Sequence, residues 1–346
     1  MTVLATPLSL PVPMTRHLPL ALLLAAAFLG VPFLASHYVI EAILLPFLAL
    51  SLAGLGLSLL TGYTGQVSLG SAAFMAVGAF AAFNFEYRVD WLPLPISILL
   101  AGLTAAAVGL VFGLPSLRLR GFYLAVSTLA AQFFVQWVLT KFGWFSNYSA
   151  SGVISAPSID IAGIDLDTTI GRYLFALTTV VLITLFVHRI VTSPLGVNLI
   201  AVRDNETAAK VIGVPVLKTK LVVFALSSAI IGIAGAIWAF AYLRTVEPAG
   251  FNLDRSFQIL FIIIIGGLAT LRGAFLGAAL IVVFPLVLSR VTGPLFGDLV
   301  DAGVLKLVER IFFGVLIILF LIAEPNGLTA ILDRITARLG RLLRRG

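Results

Sequence analysis

The sequence predicts an all-α polytopic membrane protein, and three observations carry that prediction. The chain of 346 residues is 60% hydrophobic and only 11% charged, which is too apolar for a soluble domain. Apolar runs of about 20 residues, the length that crosses a bilayer, recur along most of the chain. Glycine is abundant, with 31 residues, as in packed membrane helices. We therefore expect about ten transmembrane helices.

The apolar runs define a predicted transmembrane domain over residues 18–323. Its expected spans are 18–36, 39–60, 67–85, 94–114, 121–140, 171–190, 221–243, 256–271, 273–290 and 307–323. Residues 1–17 form a short segment before the first span, and residues 324–346 form a tail after the last one.

Lysine and arginine set the predicted orientation. With the N-terminus inside, most of the 22 Lys and Arg residues fall in cytoplasmic segments and most of the 15 Asp and Glu residues fall outside, as the positive-inside rule requires. Both termini and the 193–220 loop then lie in the cytoplasm, and the 141–170 loop is extracytoplasmic. Because the net charge of +7 follows this topology, it does not indicate a nucleic-acid partner.

The predicted outer loop, residues 141–170, is polar and rich in turn residues. Two interpretations stay open for it. It is either a plain extracytoplasmic connection or a cap that meets a substrate-delivery protein.

A glycine-rich polar stretch stands where the third span should begin. Its glycines permit backbone turns that an ordinary membrane helix does not make. Irregular backbone at membrane depth is tolerated only where protein buries it or water lines it, and broken helices often flank a translocation pathway. The candidate pathway residues are Gly62, Tyr63, Thr64, Gly65, Gln66, Ser68 and Ser71. The alternative is an ordinary tight turn between the second and third spans.

A partial echo of this stretch occurs late in the chain. Residues 266–277 again join two apolar runs through glycines, and Gly273 and Gly277 form a GxxxG pair that lets backbones approach closely. Two glycine-broken joints in opposite halves indicate broken or re-entrant segments and an internal repeat.

The predicted cytoplasmic loop, residues 193–220, contains the signals of a short helix from Glu206 to Ile212. Asp204 or Asn205 can cap its N-terminus, Gly213 suits the position after its end, and the following proline prevents continuation.

This helix has two unlike sides. Ala208, Ala209 and Ile212 make one side apolar, and Arg203 and Lys210 contribute to a polar one. Such a helix suits a docking element on the cytoplasmic side of the membrane. The alternative is a solvated connector.

The predicted tail, residues 324–346, repeats leucine and isoleucine at helical spacing. Five arginines lie off that apolar stripe. The pattern predicts a basic amphipathic helix on the anionic inner leaflet, so membrane lipid is its expected partner. The alternative is a disordered tail.

No catalytic machinery is visible in the sequence. The chain has no cysteine and only three scattered histidines, so we predict no metal site, no cofactor and no catalytic residue. It has no phosphate-binding loop of the GxxxxGK[ST] type, which predicts that it does not hydrolyse ATP. Ionisable residues deep in the spans are nearly absent, which argues against an ion-coupled carrier.

Five ordered blocks carry a resemblance to a known family. They are GYTGQVSLGSAAFMAVGAFAAF (62–83), PSLRLRGFYLAVSTLA (115–130), AVRDNETAAKVIGVPVLKTKLVVFALSSAIIGIAGAIWA (201–239), IIIIGGLATLRGAFLGA (262–278) and EPNGL (324–328). Together they are similar to the LivM-type permease subunit of bacterial branched-chain amino acid ABC importers. One departure is Ser71, where members of the family often have histidine.

The resemblance implies a multi-pass subunit of the bacterial cytoplasmic membrane and a set of partners. A second, LivH-type permease would complete the pore, two ATP-binding cassette subunits would lie below it, and a periplasmic or extracellular solute-binding protein would deliver substrate. Coupling to the ATPases would fall on Arg203, Asp204, Asn205, Glu206, Ala208, Ala209 and Gly213. The alternatives are a permease of this family for urea, an amide or an aromatic acid, and a stand-alone secondary carrier.

Overall fold

The computed structural model describes residues 18–89, 91–116, 122–149, 151–161, 164–296, 302–324 and 327–343. The predicted segment 1–17 and residues 325–326 and 344–346 of the predicted tail lie outside the described residues. The described helices are α1 (Leu18–Ala25), α2 (Val31–Leu34), α3 (His37–Val39), α4 (Leu45–Leu57), α5 (Ser71–Arg88), α6 (Leu94–Ser116), α7 (Phe122–Lys141), α8 (Thr169–Val191), α9 (Pro194–Asp204), α10 (Glu206–Val211), α11 (Val216–Ile237), α12 (Leu253–Gly266), α13 (Leu271–Phe296), α14 (Ala302–Ala323) and α15 (Gly327–Leu343).

Among the described residues, seven helices are long and apolar enough to cross a membrane. They are His37–Gly62, Leu94–Pro115, Tyr123–Lys141, Thr169–Val191, Val216–Leu243, Pro248–Gly266 and Leu271–Leu288. The predicted all-α polytopic class is therefore confirmed, although ten spans exceeds this number. One reason is that α5 ends in the polar residues Asn84, Glu86 and Arg88, and another is that the helix Leu22–Leu34 is shorter than a usual span.

Two long helices form the centre of the bundle. The first central helix, His37–Gly62, contains α3 and α4 and ends in a π-helical segment, Ser58–Gly62. The second central helix, Val216–Leu243, contains α11 and also ends in a π-helical segment, Trp238–Leu243. Most residues of both are buried, whereas only 28% of the residues in each of the spans Thr169–Val191 and Leu271–Leu288 are buried. The two helices are therefore wrapped by the others.

Small residues let the two central helices approach closely. The hydroxyl of Ser227 on the second helix donates to the carbonyl of Gly56 on the first at 2.7 Å. A Cβ atom at Gly56 would lie only 2.9 Å from the Ile231 side chain. Such contacts supply the van der Waals packing that holds membrane helices together, because lipid gives no hydrophobic drive between them.

Each central helix is followed by an irregular segment. The first break, residues 63–70, is helical only at Tyr63 and Thr64 and separates the first central helix from α5. The second break, residues 244–252, includes a short strand and the 3₁₀ helix Pro248–Phe251 and separates the second central helix from α12. The glycine joint, residues 267–270, separates α12 from α13. The predicted break after the second span is thus present.

Short strands order the predicted outer loop. β1 (Ile154–Ser155) pairs antiparallel with β4 (Thr245–Val246) of the second break. β2 (Asp160–Ile161) pairs with β3 (Ile164–Asp165). The outer loop is therefore joined to the second break by main-chain hydrogen bonds.

The predicted tail forms helix α15 over its described residues. At its start, Gly327 lies against the backbone of Gly267 in the glycine joint. Farther along, Arg334 pairs with Glu324, while Leu332 and Ile335 are exposed. The helix thus begins on the bundle and keeps apolar side chains uncovered.

Candidate functional site

The two breaks meet at Gln132, which lies in the middle of α7. Its Oε1 accepts from the backbone N–H of Ala73 at 2.6 Å and from the hydroxyl of Ser256 at 3.2 Å. Its Nε2 donates to the carbonyl of Phe251 at 2.8 Å. One fully buried amide therefore joins the start of α5 to the end of the second break and the start of α12.

The position of Gln132 places this junction deep in the bundle. Helix α7 has 20 residues, which at 1.5 Å per residue is about 30 Å, the thickness of the hydrocarbon core. Gln132 is near its midpoint. Both breaks therefore carry irregular backbone to membrane depth, where its polar groups must be paired within the protein.

Side chains from other helices pair the N–H groups at the start of α5. Ser256 Oγ accepts from Ala72 N–H at 2.9 Å, and Thr128 Oγ1 accepts from Leu69 N–H at 2.9 Å. A helix normally leaves its first N–H groups without partners inside the helix. Because these donors are occupied, the start of α5 is a structural junction and does not present an open site for an anion.

The predicted pathway residues lie together along the first break. Thr61 Oγ1 donates to the carbonyl of Gln66 at 3.0 Å, and Gln66 Nε2 donates to Thr64 Oγ1 at 2.9 Å. Gly65 has a φ of 68°, which favours glycine. Tyr63 is buried.

Two polar atoms lack partners, one in the first break and one at the first residue of α5. Within the described residues, Oγ of Ser71 and Oε1 of Gln66 are buried and make no hydrogen bond. Ser68, by contrast, accepts from the N–H of Gly70 at 3.3 Å. An unpaired buried polar atom costs about 1–3 kcal/mol, so these two atoms suit contact with water or a polar solute.

Sequence reasoning missed an arginine beside the junction. The guanidinium of Arg255 in the first turn of α12 lies 4.0 Å from the ring centroid of Trp238, and its Nη1 donates to Gln258 Oε1 at 2.7 Å. The predicted span began at residue 256, which placed Arg255 outside the membrane. The available signal was Asn252, which caps α12 and accepts from the N–H of Arg255 at 3.2 Å.

The predicted cytoplasmic helix is present as α10, within a segment that we call the dock, residues 193–220. Asn205 Oδ1 caps it by accepting from the N–H groups of Thr207 and Ala208, both at 3.0 Å. Gly213 ends it with a φ of 89°. A second helix, α9, was not predicted and begins at the cap Ser193.

The dock has a small core of its own. Ala209 is buried and packs with Val202 and Val216. Val211 and Ile212 are among the most exposed apolar residues, at 83% and 73%. The end of α10 therefore carries an exposed apolar surface, while Ala209 faces inward.

Polar contacts join the dock to the first break and to α11, whose first residues belong to the dock. Arg203 Nη1 donates to the carbonyl of Gly62 at 3.1 Å, at the start of the first break. Glu206 forms an ion pair with Lys220 of α11. Arg203 also pairs with its neighbour Asp204 at 2.9 Å. Three of the predicted coupling residues, Arg203, Asp204 and Glu206, thus take part in these contacts.

The same end of the bundle brings the first break and the glycine joint together. A Cβ atom at Gly62 would collide with the backbone of Ala269, so only glycine permits this approach. Since Gly327 of α15 lies against Gly267, the dock, the first break, the glycine joint and the tail form one connected region.

An apolar cavity of about 530 Å³ lies elsewhere, between α5, α6 and α7. Its lining includes Phe80, Val108 and Val138. None of the predicted pathway residues contributes to it, so it is separate from the junction.

Broken helices that meet inside a bundle of spanning helices are typical of membrane transport proteins, and this chain has that architecture. The family model described as branched-chain amino acid transport system / permease component matches residues 39–321. The chain belongs to this family, as its sequence blocks predicted.

Curated relatives agree with this assignment. The chain is 32% identical over 333 residues to the high-affinity branched-chain amino acid transport system permease protein LivM of Escherichia coli, covering 89% of this chain and 73% of the relative. It is 31% identical to the Salmonella typhimurium LivM, covering 86% and 71%. It is 27% identical to a probable LivM of Methanocaldococcus jannaschii, covering 67% of each. No solved structure gives a significant match.

Proposed function

We propose that this chain is a permease subunit of an ATP-driven importer for branched-chain or related amino acids and forms half of its pore. The family and the names of the relatives support the transport of such amino acids. The observation that carries the ATP-driven part is the direct bond from Arg203 in the dock to Gly62 at the first break. A docking element that touches the pathway segment is what coupling to an external motor requires.

The proposed pathway follows the first break and the junction. Gln66 and Ser71 offer unpaired buried oxygens there, and Gly62, Tyr63, Thr64, Gly65 and Ser68 complete the segment. Polar atoms that lack protein partners stabilise a hydrated solute in passage. The neighbouring Arg255 adds a cation beside the junction.

The proposed ATPase contact is the exposed end of α10. Val211 and Ile212 give it an apolar surface, and Ala208 is exposed beside them. Asn205, Glu206 and Gly213 keep the helix formed. Movement of the dock would reach the first break through Arg203 and the second central helix through the Glu206 ion pair.

The proposed assembly contains a LivH-type permease, two ATPase subunits and a solute-binding protein outside the cell. In this arrangement the chain lies in the bacterial cytoplasmic membrane with both termini in the cytoplasm, and the outer loop meets the binding protein. The tail lies on the inner leaflet. No cofactor is required, and the chain has no ATPase activity of its own.

Orientation can be tested cleanly because the chain has no cysteine. A cysteine at Ser151 should react with an impermeant reagent added outside, while one at Thr207 should not. The reverse labelling pattern would invert the proposed topology.

Reconstitution tests the function itself. In proteoliposomes with both permeases, the ATPases and the binding protein, a labelled amino-acid panel should accumulate only with ATP, and the chain alone should give neither uptake nor hydrolysis. Uptake by the lone chain in a proton or sodium gradient would indicate a secondary carrier. ATP-driven uptake of urea, an amide or an aromatic acid instead would keep the mechanism and change the substrate.

A further inference from the structure

A polar cavity of about 490 Å³ lies at the end of the bundle opposite the dock. Its lining is Tyr38, Glu41, Ala42, Arg172, Tyr242 and Arg244. Ligand pockets for small molecules have volumes of about 300–1,000 Å³, so this cavity, which we call the entrance pocket, has room for an amino acid.

The entrance pocket holds charges of both signs. Glu41 Oε1 accepts from Arg172 Nη2 at 2.7 Å and from the hydroxyl of Thr169 at 2.9 Å. Within the described residues its other oxygen accepts no hydrogen bond, and the side chain is 49% exposed. A carboxylate oxygen is therefore available at the pocket surface.

The two arginines supply the opposite charge. Arg244 pairs with Asp167 of the outer loop through both of its Nη atoms, Nη2 donating to Oδ2 at 2.7 Å, and its side chain stays 31% exposed. Arg172 Nη1 donates to the carbonyl of Ala241 at 3.2 Å, but its buried Nε has no partner within the described residues. Within the described residues no hydrogen bond uses Nε of Arg244, so that edge of its guanidinium keeps donor capacity for a further acceptor.

A line of ring contacts connects this pocket to the junction. Tyr242 of the pocket packs edge-on against Trp238, with ring centroids 4.6 Å apart. The other neighbour of Trp238 is the Arg255 guanidinium, 4.0 Å from its ring centroid, and Ser256 follows Arg255 at the Gln132 junction. Trp238 Nε1 is buried without a partner in the described chain.

We propose that the entrance pocket binds the zwitterion of an apolar α-amino acid before it reaches the junction. The carboxylate pairs with the Nε edge of Arg244, which Asp167 leaves open, because a charged N–H donor binds a carboxylate strongly. The ammonium pairs with the available oxygen of Glu41. The tyrosine rings and Ala42 accept the apolar side chain.

This inference rests on the proposed function and narrows it. A site for urea or an amide needs no charged pair, and a site for an aromatic acid needs cations without Glu41. The presence of Glu41 beside Arg172 and Arg244 distinguishes a zwitterion from both of those alternatives.

Binding measured without the solute-binding protein tests the pocket directly. The permease–ATPase complex, purified in detergent, is titrated with L-leucine, with 4-methylpentanoate, which keeps only the carboxylate, and with isoamylamine, which keeps only the ammonium. Trp and Tyr fluorescence and thermal shift report binding. We expect L-leucine to bind about tenfold or more tighter than either analogue, since each lost charged contact costs that much.

Glu41→Gln should weaken L-leucine binding by about tenfold and bring 4-methylpentanoate close to it, because only the ammonium partner is lost. Glu86→Gln is the matched control, since Glu86 is also half-buried but does not line the pocket. Its preference should stay that of the wild type. Equal binding of all three probes by the wild type, or an unchanged preference in Glu41→Gln, would overturn the proposal.

Transport separates a failure of this inference from a failure of the proposed function. If the full complex takes up leucine with ATP but the pocket does not distinguish the three probes, the proposed function is supported and the proposed role of the pocket is wrong. If instead the complex imports a neutral or anionic solute and L-leucine does not bind, both the proposed substrate class and the proposed pocket are wrong.

Discussion

The first and second breaks are built alike but are held from opposite ends of the molecule. Each follows the π-helical end of a buried central helix, and each leads to the first turn of a helix at Gln132. The first break is attached to the dock through Arg203. The second is attached to the outer loop through β1 and the ion pair of Arg244 with Asp167.

Because of this difference, the bundle connects one break to the dock and the other to the outer loop. The shared amide of Gln132 fixes both breaks relative to each other, while separate contacts at their far ends connect them to different surfaces. We therefore interpret the second break, rather than the glycine joint, as the counterpart of the first break in an inverted repeat. The glycine joint is short and closed by its own Thr270, whose hydroxyl donates to Gly267 O at 2.9 Å.

The largest expected effect comes from removing the side-chain amide of Gln132, which contacts the segments that follow both breaks. Gln132→Leu keeps the volume roughly constant but removes three hydrogen bonds in a buried site. We expect a loss of about 2–4 kcal/mol in stability, because buried partners are left unpaired, and transport lowered by more than about tenfold. Uptake in proteoliposomes and thermal unfolding measure the two effects.

Gln136→Leu is the matched control for this change. Gln136 lies one turn farther along α7 and is only half-buried, so its replacement should leave uptake within about twofold of wild type. Equal effects at both positions would show that the amide at Gln132 has no special role. Gln132 would then not be the residue that connects the two breaks.

Local signals explain what the sequence could predict. The limits of α10 follow from the cap Asn205 and the terminating Gly213, which act on their immediate neighbours. The bilayer enforces helix wherever about 20 apolar residues occur, so the all-α class was also predictable. The sequence blocks predicted the family correctly.

Long-range partners explain what it could not predict. Arg203 and Gly62 are 141 residues apart in sequence, and Gln132 is 119 residues from Phe251. Nothing local distinguishes these polar residues from solvent-facing ones. Ala209 illustrates the same limit: its place on the apolar side of α10 was predicted, but not that Val202 and Val216 would bury it within the dock. The roles of the coupling and pathway residues stay predictions.

The next largest effect is expected at the exposed surface of the dock, the segment to which the first break is attached. Ile212→Asp replaces an apolar side chain that is 73% exposed with a charged one. We assign this position to the ATPase contact. The variant should insert normally but lose most of its ATPase subunits on co-purification, since a desolvated unpaired charge costs several kcal/mol. Thr207→Asp adds the same charge to the first turn of α10, where the helix dipole tolerates it, and should retain them. Full retention in Ile212→Asp would place the contact elsewhere.

A smaller effect should follow when the attachment is cut inside the chain. Arg203→Ala removes the bond to Gly62 but leaves the exposed end of α10 in place. We expect the ATPases to co-purify and to hydrolyse ATP while uptake falls about tenfold, the cost of one charged hydrogen bond. Arg203→Lys, which retains a cation on a long stem, should recover part of the loss. Hydrolysis and uptake falling in parallel would mean that Arg203 only supports the fold of the dock.

The smallest effect concerns the attachment of the second break to the outer loop. The Arg244 side chain is 31% exposed and that of its partner Asp167 is 30% exposed, and partly exposed pairs contribute about 0.2–1 kcal/mol. Asp167→Asn alone should therefore change uptake by no more than about fivefold.

Combined with Arg203→Ala, Asp167→Asn tests whether the two breaks act as a unit. If Gln132 joins them mechanically, the double variant should depart from additivity by about 0.5 kcal/mol or more, as directly coupled sites do. In the background of Gln132→Leu that departure should vanish, because the connection is gone. Strict additivity in the parent would mean that the two attachments act independently, and that the meeting of both breaks at one amide is a feature of packing without mechanical consequence.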